Sequence, residues 1–149
     1  MHYSRPSFFI AVALAALVPL GGAPAAETCF RNIGTKSRFG SDEQVQTLQA
    51  LAKGKCPIVG FTFKLSQPTR STLVVADLEK GEMLRLKIDP TNRPWEMWTG
   101  FTRDEVLEDD PSDGFDLGKF TSSSSGASPA VPDRISAFVK TNKMQGFLP

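Results

Sequence analysis

The hydrophobic period of the chain changes at Ile58, and that change restricts it to folds in which a helix meets a sheet. Upstream, Val45, Leu48, Leu51 and Ala52 recur at helical intervals. Ser41-Asp42-Glu43-Gln44 has the spacing of a capping box with Ser41 at the N-cap, and Gly54 stands where a left-handed helix stop belongs. An amphipathic helix is therefore predicted over residues 42–53. Downstream, Val59, Phe61, Phe63 and Leu65 alternate with Gly60, Thr62 and Lys64, the pattern of a half-buried strand.

Two further strands are predicted over residues 72–78 and 83–88, joined through Glu79-Lys80-Gly81-Glu82 as a hairpin. In the second, Leu84, Leu86 and Ile88 face inward while Arg85 and Lys87 face solvent. Pro90 and Pro94 end it, because proline cannot donate to a central ladder. Residues 95–101 read as a fourth strand, with Trp95, Met97 and Phe101 on one face and Trp98 on the other. Thr102-Arg103-Asp104-Glu105 repeats the capping-box spacing and predicts a short helix to about Asp109. Pro132 and Asp133 introduce Ile135, Phe138 and Val139 at helical intervals, with Gly146 as the stop. The expected fold is α+β: an N-terminal helix packed on a three- or four-stranded antiparallel meander, with a C-terminal helix. Its expected parts are a small α+β domain over 26–120, a Ser/Gly/Pro-rich linker over 121–131 and the C-terminal helix over 132–149. Residues 26–40 read as an extended or irregular lead-in.

The first 25 residues read as a secretory signal peptide. Arg5 supplies the positive charge, the run from Phe8 to Leu20 is apolar except for Pro19, and Ala23-Pro24-Ala25 has the small residues of a cleavage site. The run is too short to span a bilayer, which takes roughly 20 apolar residues. Cleavage after Ala25 leaves 124 of the 149 residues, a common size for one domain. It removes the only histidine, His2, and the only tyrosine, Tyr3. It also takes Arg5 from the 17 basic residues, leaving 16 against 16 acidic ones. Zero net charge supplies no global attraction to nucleic acid, so no nucleic-acid partner is expected. The exported chain is not expected to be membrane-embedded. Its two cysteines, Cys29 and Cys56, are expected to pair in an oxidising compartment. The mature chain has no Asn-x-Ser/Thr sequon, which favours a bacterial periplasmic or secreted protein over a glycosylated one.

Losing the imidazole removes the usual base that activates a serine or cysteine, and removes histidine-containing zinc sites. Carboxylate chemistry, a Ser–Lys pair or an all-oxygen metal site remain. The nearest constellation to a site is aromatic: Trp95, Glu96, Trp98 and Phe101, followed by the acidic stretch Asp104, Glu105, Glu108, Asp109, Asp110, Asp113 and Asp116. That stretch lacks EF-hand spacing, since Pro111 and Phe120 fall where ligands belong. Residues 26–103 carry 12 basic against 8 acidic groups, so a neutral chain is polarised along its length. The expected role is a binding module rather than an enzyme, with no cofactor and no metal. It would recognise a protein partner through Trp95, Glu96, Trp98 and Phe101 beside Asp109, Asp110 and Asp113, with aromatic anchors inside a charged rim. Binding or carboxylate-based hydrolysis of a glycan by the same tryptophan segment is the alternative.

Overall fold

A computed structural model describes residues 28–67, 69–89, 93–111, 121–125 and 130–148, the last strand (121–125) as backbone only. The predicted signal peptide, Asp113 and Asp116 lie outside the described residues. The fold is a mixed α+β arrangement around one six-stranded sheet. The strands are β1 (Phe30–Lys36), β2 (Ile58–Ser66), β3 (Thr69–Asp77), β4 (Glu82–Ile88), β5 (Trp95–Thr99) and β6 (Thr121–Ser125), and they lie side by side in chain order. Helix α1 (Ser41–Ala52) connects β1 to β2, α2 (Arg103–Glu108) follows β5, and α3 (Asp133–Thr141) follows β6.

The sheet departs from a plain meander at both edges. The polar lead-in is strand β1, and it runs parallel to β2 while every other pair is antiparallel. A parallel pair needs a crossover, and α1 supplies it. Residues 31–36 contain few apolar side chains because β1 is an edge strand with most of its residues exposed. A register shift between Asn32 and Thr35 bends the strand at Gly34, whose φ is +81° and whose N–H donates to Asn32 Oδ1 over 2.9 Å. At the other edge, Thr121–Ser125, read from composition as a linker, is instead the sixth strand, paired with β5.

Both faces of the sheet are covered, whereas the alternation in β2 predicted one buried face. On one face, Val59, Phe61, Phe63, Val74, Ala76, Met83 and Trp98 pack with Leu48, Leu51 and Ala52 of α1 and Val106 of α2. On the other, Leu73, Val75, Leu84 and Leu86 pack against Ile135 and Val139 of α3. The uninterrupted run Leu73-Val74-Val75-Ala76 is buried throughout, as a central strand covered on both sides must be. Gly60 lets α3 approach: a Cβ there would lie 2.9 Å from the Phe138 ring and 2.9 Å from the Val74 carbonyl oxygen.

The helix termini follow the sequence in one case and differ in three. Thr102 and Glu105 form the predicted capping box, each side chain accepting the other's backbone N–H. Ser41 is already inside α1, and Gly40 is the N-cap with no side-chain hydrogen bond. Gln44 is buried instead, where its Oε1 accepts from Arg85 over 3.3 Å. Gly54 is not the left-handed stop either. Arg103 donates to the carbonyl oxygens of Ala52, Gly54 and Cys56 at 2.7, 2.9 and 2.5 Å, satisfying the end of α1 from another element. Helix α3 ends at Thr141, before Gly146, with Lys143 in the left-handed region at φ +59°. Cys29 and Cys56 form a disulfide, tying the start of β1 to the loop after α1.

Candidate binding sites on the sheet and its edge

The tryptophan segment is divided between the two faces of the sheet. Trp98 is 6% exposed and Phe101 4% exposed, both in the core under α1 and α2. Trp95 and Met97 are half-buried on the α3 face. Phe101 thus shares a core with Trp98 rather than with Trp95, because the chain turns at Gly100, where φ is +86°. Glu96 forms an ion pair with Arg85, whose guanidinium also lies 5.3 Å from the centre of the Trp98 ring. The segment is a structural joint between sheet and helices, and neither Trp98 nor Phe101 presents a ring to solvent. Arg85, expected to face solvent, is 12% exposed at its side chain. Its charge is held between Glu96, Gln44 and the Trp98 face.

The acidic stretch begins on α2. Glu105 is spent on the helix cap, and the Asp109 carbonyl oxygen accepts from Gln49 of α1 at 2.7 Å. Asp110 is exposed and Asp109 half-buried. Among the described residues, no three His, Cys, Asp or Glu side chains form a group that would hold a metal ion.

Two places on the surface hold chemistry that the sequence reading did not single out. The first is a groove of about 400 Å³ between β1 and α1. Arg31, Lys36 and Arg38 line it with Ile33 and Phe39, and from α1 come Glu43, Gln46, Thr47 and Ala50. The parallel register sets Arg31 beside Phe61 and Lys36 beside Leu65, which turns both cations to the face that α1 covers. Among the described residues none of the three cations has an ion-pair partner, and Glu43 is the one acid in the lining. The three were visible in the sequence as Arg31, Lys36 and Arg38, but only the strand assignment of 30–36 brings them to one groove.

The second place lies on the same face, on strands β3 to β5. Cross-strand register sets Thr72 against Lys87, and Arg85 against both Val74 and Glu96. Arg70 and Asp89 pair at 3.4 Å. Lys87 has its pKa lowered, first by burial and next by the charge of Arg85, with Glu96 opposing and Arg70 adding to the effect.

A third concavity, about 710 Å³, lies against the disulfide end of the sheet and α3, lined mainly by apolar side chains that include Phe30, Pro57, Ile58 and Phe138. Arg134 at its margin is bound to Asp77 at 2.8 Å and to Glu79 at 2.9 Å, and these acids raise its pKa, the Glu79 hydrogen bond most. No family model, no curated protein and no solved structure matches this chain.

Proposed function

We propose that the protein is exported, loses residues 1–25 and acts in the periplasm or outside the cell as a non-enzymatic module that binds an acidic protein partner. The observation that carries this reading is the groove between β1 and α1. Three cations converge there beside a single lining acid, Glu43, and among the described residues none of the three has an ion-pair partner. Elsewhere in this fold arginines are paired: Arg85 and Arg134 are each held by their own acids. Cations left open beside the exposed strand β1 would steer a complementary acidic surface and set its orientation. The disulfide supports an oxidising compartment. No helix among the described residues is long and apolar enough to cross a membrane.

The recognition surface differs from the aromatic one expected from sequence. With Trp98 and Phe101 in the core, the anchor moves from ring packing to charge, and the Trp98 surface is withdrawn. Glycan stacking on that ring is withdrawn with it. The test is affinity capture from envelope extract with the mature protein and with a variant carrying Arg31→Gln, Lys36→Gln and Arg38→Gln. A protein that binds the wild type, weakens steeply with added salt and is lost in the variant is the expected result. An identical capture profile for both proteins, with the variant folded by circular dichroism, would overturn the reading.

A further inference from the structure

We propose that Lys87, flanked by Arg70 and Arg85 on one face of the sheet, forms a binding site for a small carboxylate- or phosphate-bearing anion. The argument rests on register. Lys87 stands directly across from Thr72 on β3, and its own N–H is engaged by the Pro94 carbonyl on the β5 side. Two residues back along β4 is Arg85, and the diagonal neighbour on β3 is Arg70. Side chains two apart on a strand share a face, so the three cations are directed to the same side of the sheet.

The neighbours are held while the lysine is not. Arg70 is paired with Asp89, and Arg85 with Glu96 and Gln44. Among the described residues the Lys87 ammonium has no hydrogen bond and no ion pair, although it is half-buried between two other cations. Among the described residues this cluster holds three positive and two negative groups, and the lysine is the cation outside the ion pairs. A half-buried ammonium without a counter-ion is disfavoured, and its lowered pKa is the same penalty read as proton affinity. An anion seated on Lys87 would relieve it. This cluster is separate from the β1–α1 groove and does not depend on the proposed protein partner.

The test is titration of the intact mature protein with inorganic phosphate and with succinate, each against sodium chloride at matched ionic strength. The Lys87 Nζ and Cε signals are followed by NMR across pH. The expected result is a saturable shift at Lys87 and a rise of its pKa toward the ordinary lysine value. In the Lys87→Met variant, phosphate or succinate binding followed by calorimetry should weaken about tenfold or more, the loss of one charge-assisted contact. A Lys64→Met control, altering the opposite face, should bind as the wild type does. Saturation by phosphate alone assigns a phosphoryl ligand, and saturation by succinate alone a carboxylate one. A Lys87 response no larger than that to chloride, or equal affinities in the wild type and Lys87→Met, would overturn the proposal.

Discussion

Arg103 and Gln49 each close the helix that the other belongs to. Arg103, the first residue of α2, donates to three carbonyl oxygens at the end of α1. Gln49, within α1, donates to the carbonyl oxygens of Val106, Leu107 and Asp109 at the end of α2. Both helices thereby satisfy terminal acceptors that lack intrahelical partners. Arg103→Met should destabilise the protein by about 2–4 kcal/mol, since charged hydrogen bonds are lost and half-buried carbonyls stay dry; urea unfolding checks it. Lys87 predicts a change of opposite sign. Its folded-state pKa is lowered from 10.5, first by burial and then by the charge of Arg85, so the charged lysine is less favourable in the folded protein than in the unfolded chain. As pH rises through the lowered value the folded state releases its proton first, and stability increases until the unfolded lysine also deprotonates near 10.5. Lys87→Met should therefore be more stable than the wild type at neutral pH, with the difference narrowing toward pH 10.5. Paired urea titrations across that range measure it.

Among the elements, α3 is the one whose position depends most on a single backbone contact. It sits over β2 and β3 because Gly60 offers no side chain, and it is oriented by Arg134 binding the buried Asp77. Asp77 is 1% exposed, and it also accepts the N–H groups of Glu79 and Lys80, so one carboxylate organises the β3–β4 turn and docks the helix. Gly60→Ala should cost about 1–3 kcal/mol through overpacking, with hydrogen exchange accelerated in α3 more than in α1. Uniform acceleration across both helices would show that α3 does not act as a separate unit. The β3–β4 turn has its own requirement: Gly81 has φ +66°, and a Cβ there would lie 2.2 Å from the Phe101 carbonyl oxygen. Gly81 also accepts the Gly100 N–H, so the turn and the end of β5 are one packed corner.

For the molecule as a whole, the disulfide closes the β1–α1–β2 unit at a sequence separation of 27. Cross-linking at that distance restricts the unfolded chain by roughly 3–4 kcal/mol in the loop-entropy account. Reduction should lower the melting temperature. Its largest local effect should be on β1, an edge strand held by β2 and by this bond. Hydrogen exchange of the reduced protein that left β1 as protected as before would show that pairing with β2 suffices. Edge strands of this kind invite association with other chains, and the exposed cations and the bend at Gly34 work against indiscriminate pairing.

Much of the architecture was legible along the chain, because periodicity reports which side of an element meets a core. Residues 42–53, the hairpin through Gly81, the Thr102 cap and the C-terminal helix could all be read from local spacing. So could the pairing of Cys29 with Cys56, from the cysteine count. Strands β1 and β6 could not: one is polar because it is an edge, the other is a serine run, and neither carries an apolar alternation. The fate of Trp98 and Arg85 was also beyond local pattern. Alternation says that Trp95 and Trp98 point to opposite faces, but not that helices would cover both, nor that Glu96 and Gln44 would hold Arg85 inside. Amphipathic spacing is a property of neighbours in sequence and survives in any fold that buries the same stripe. Which cations are neutralised and which stay open depends on contacts between distant strands and helices, and only the assembled sheet determines those.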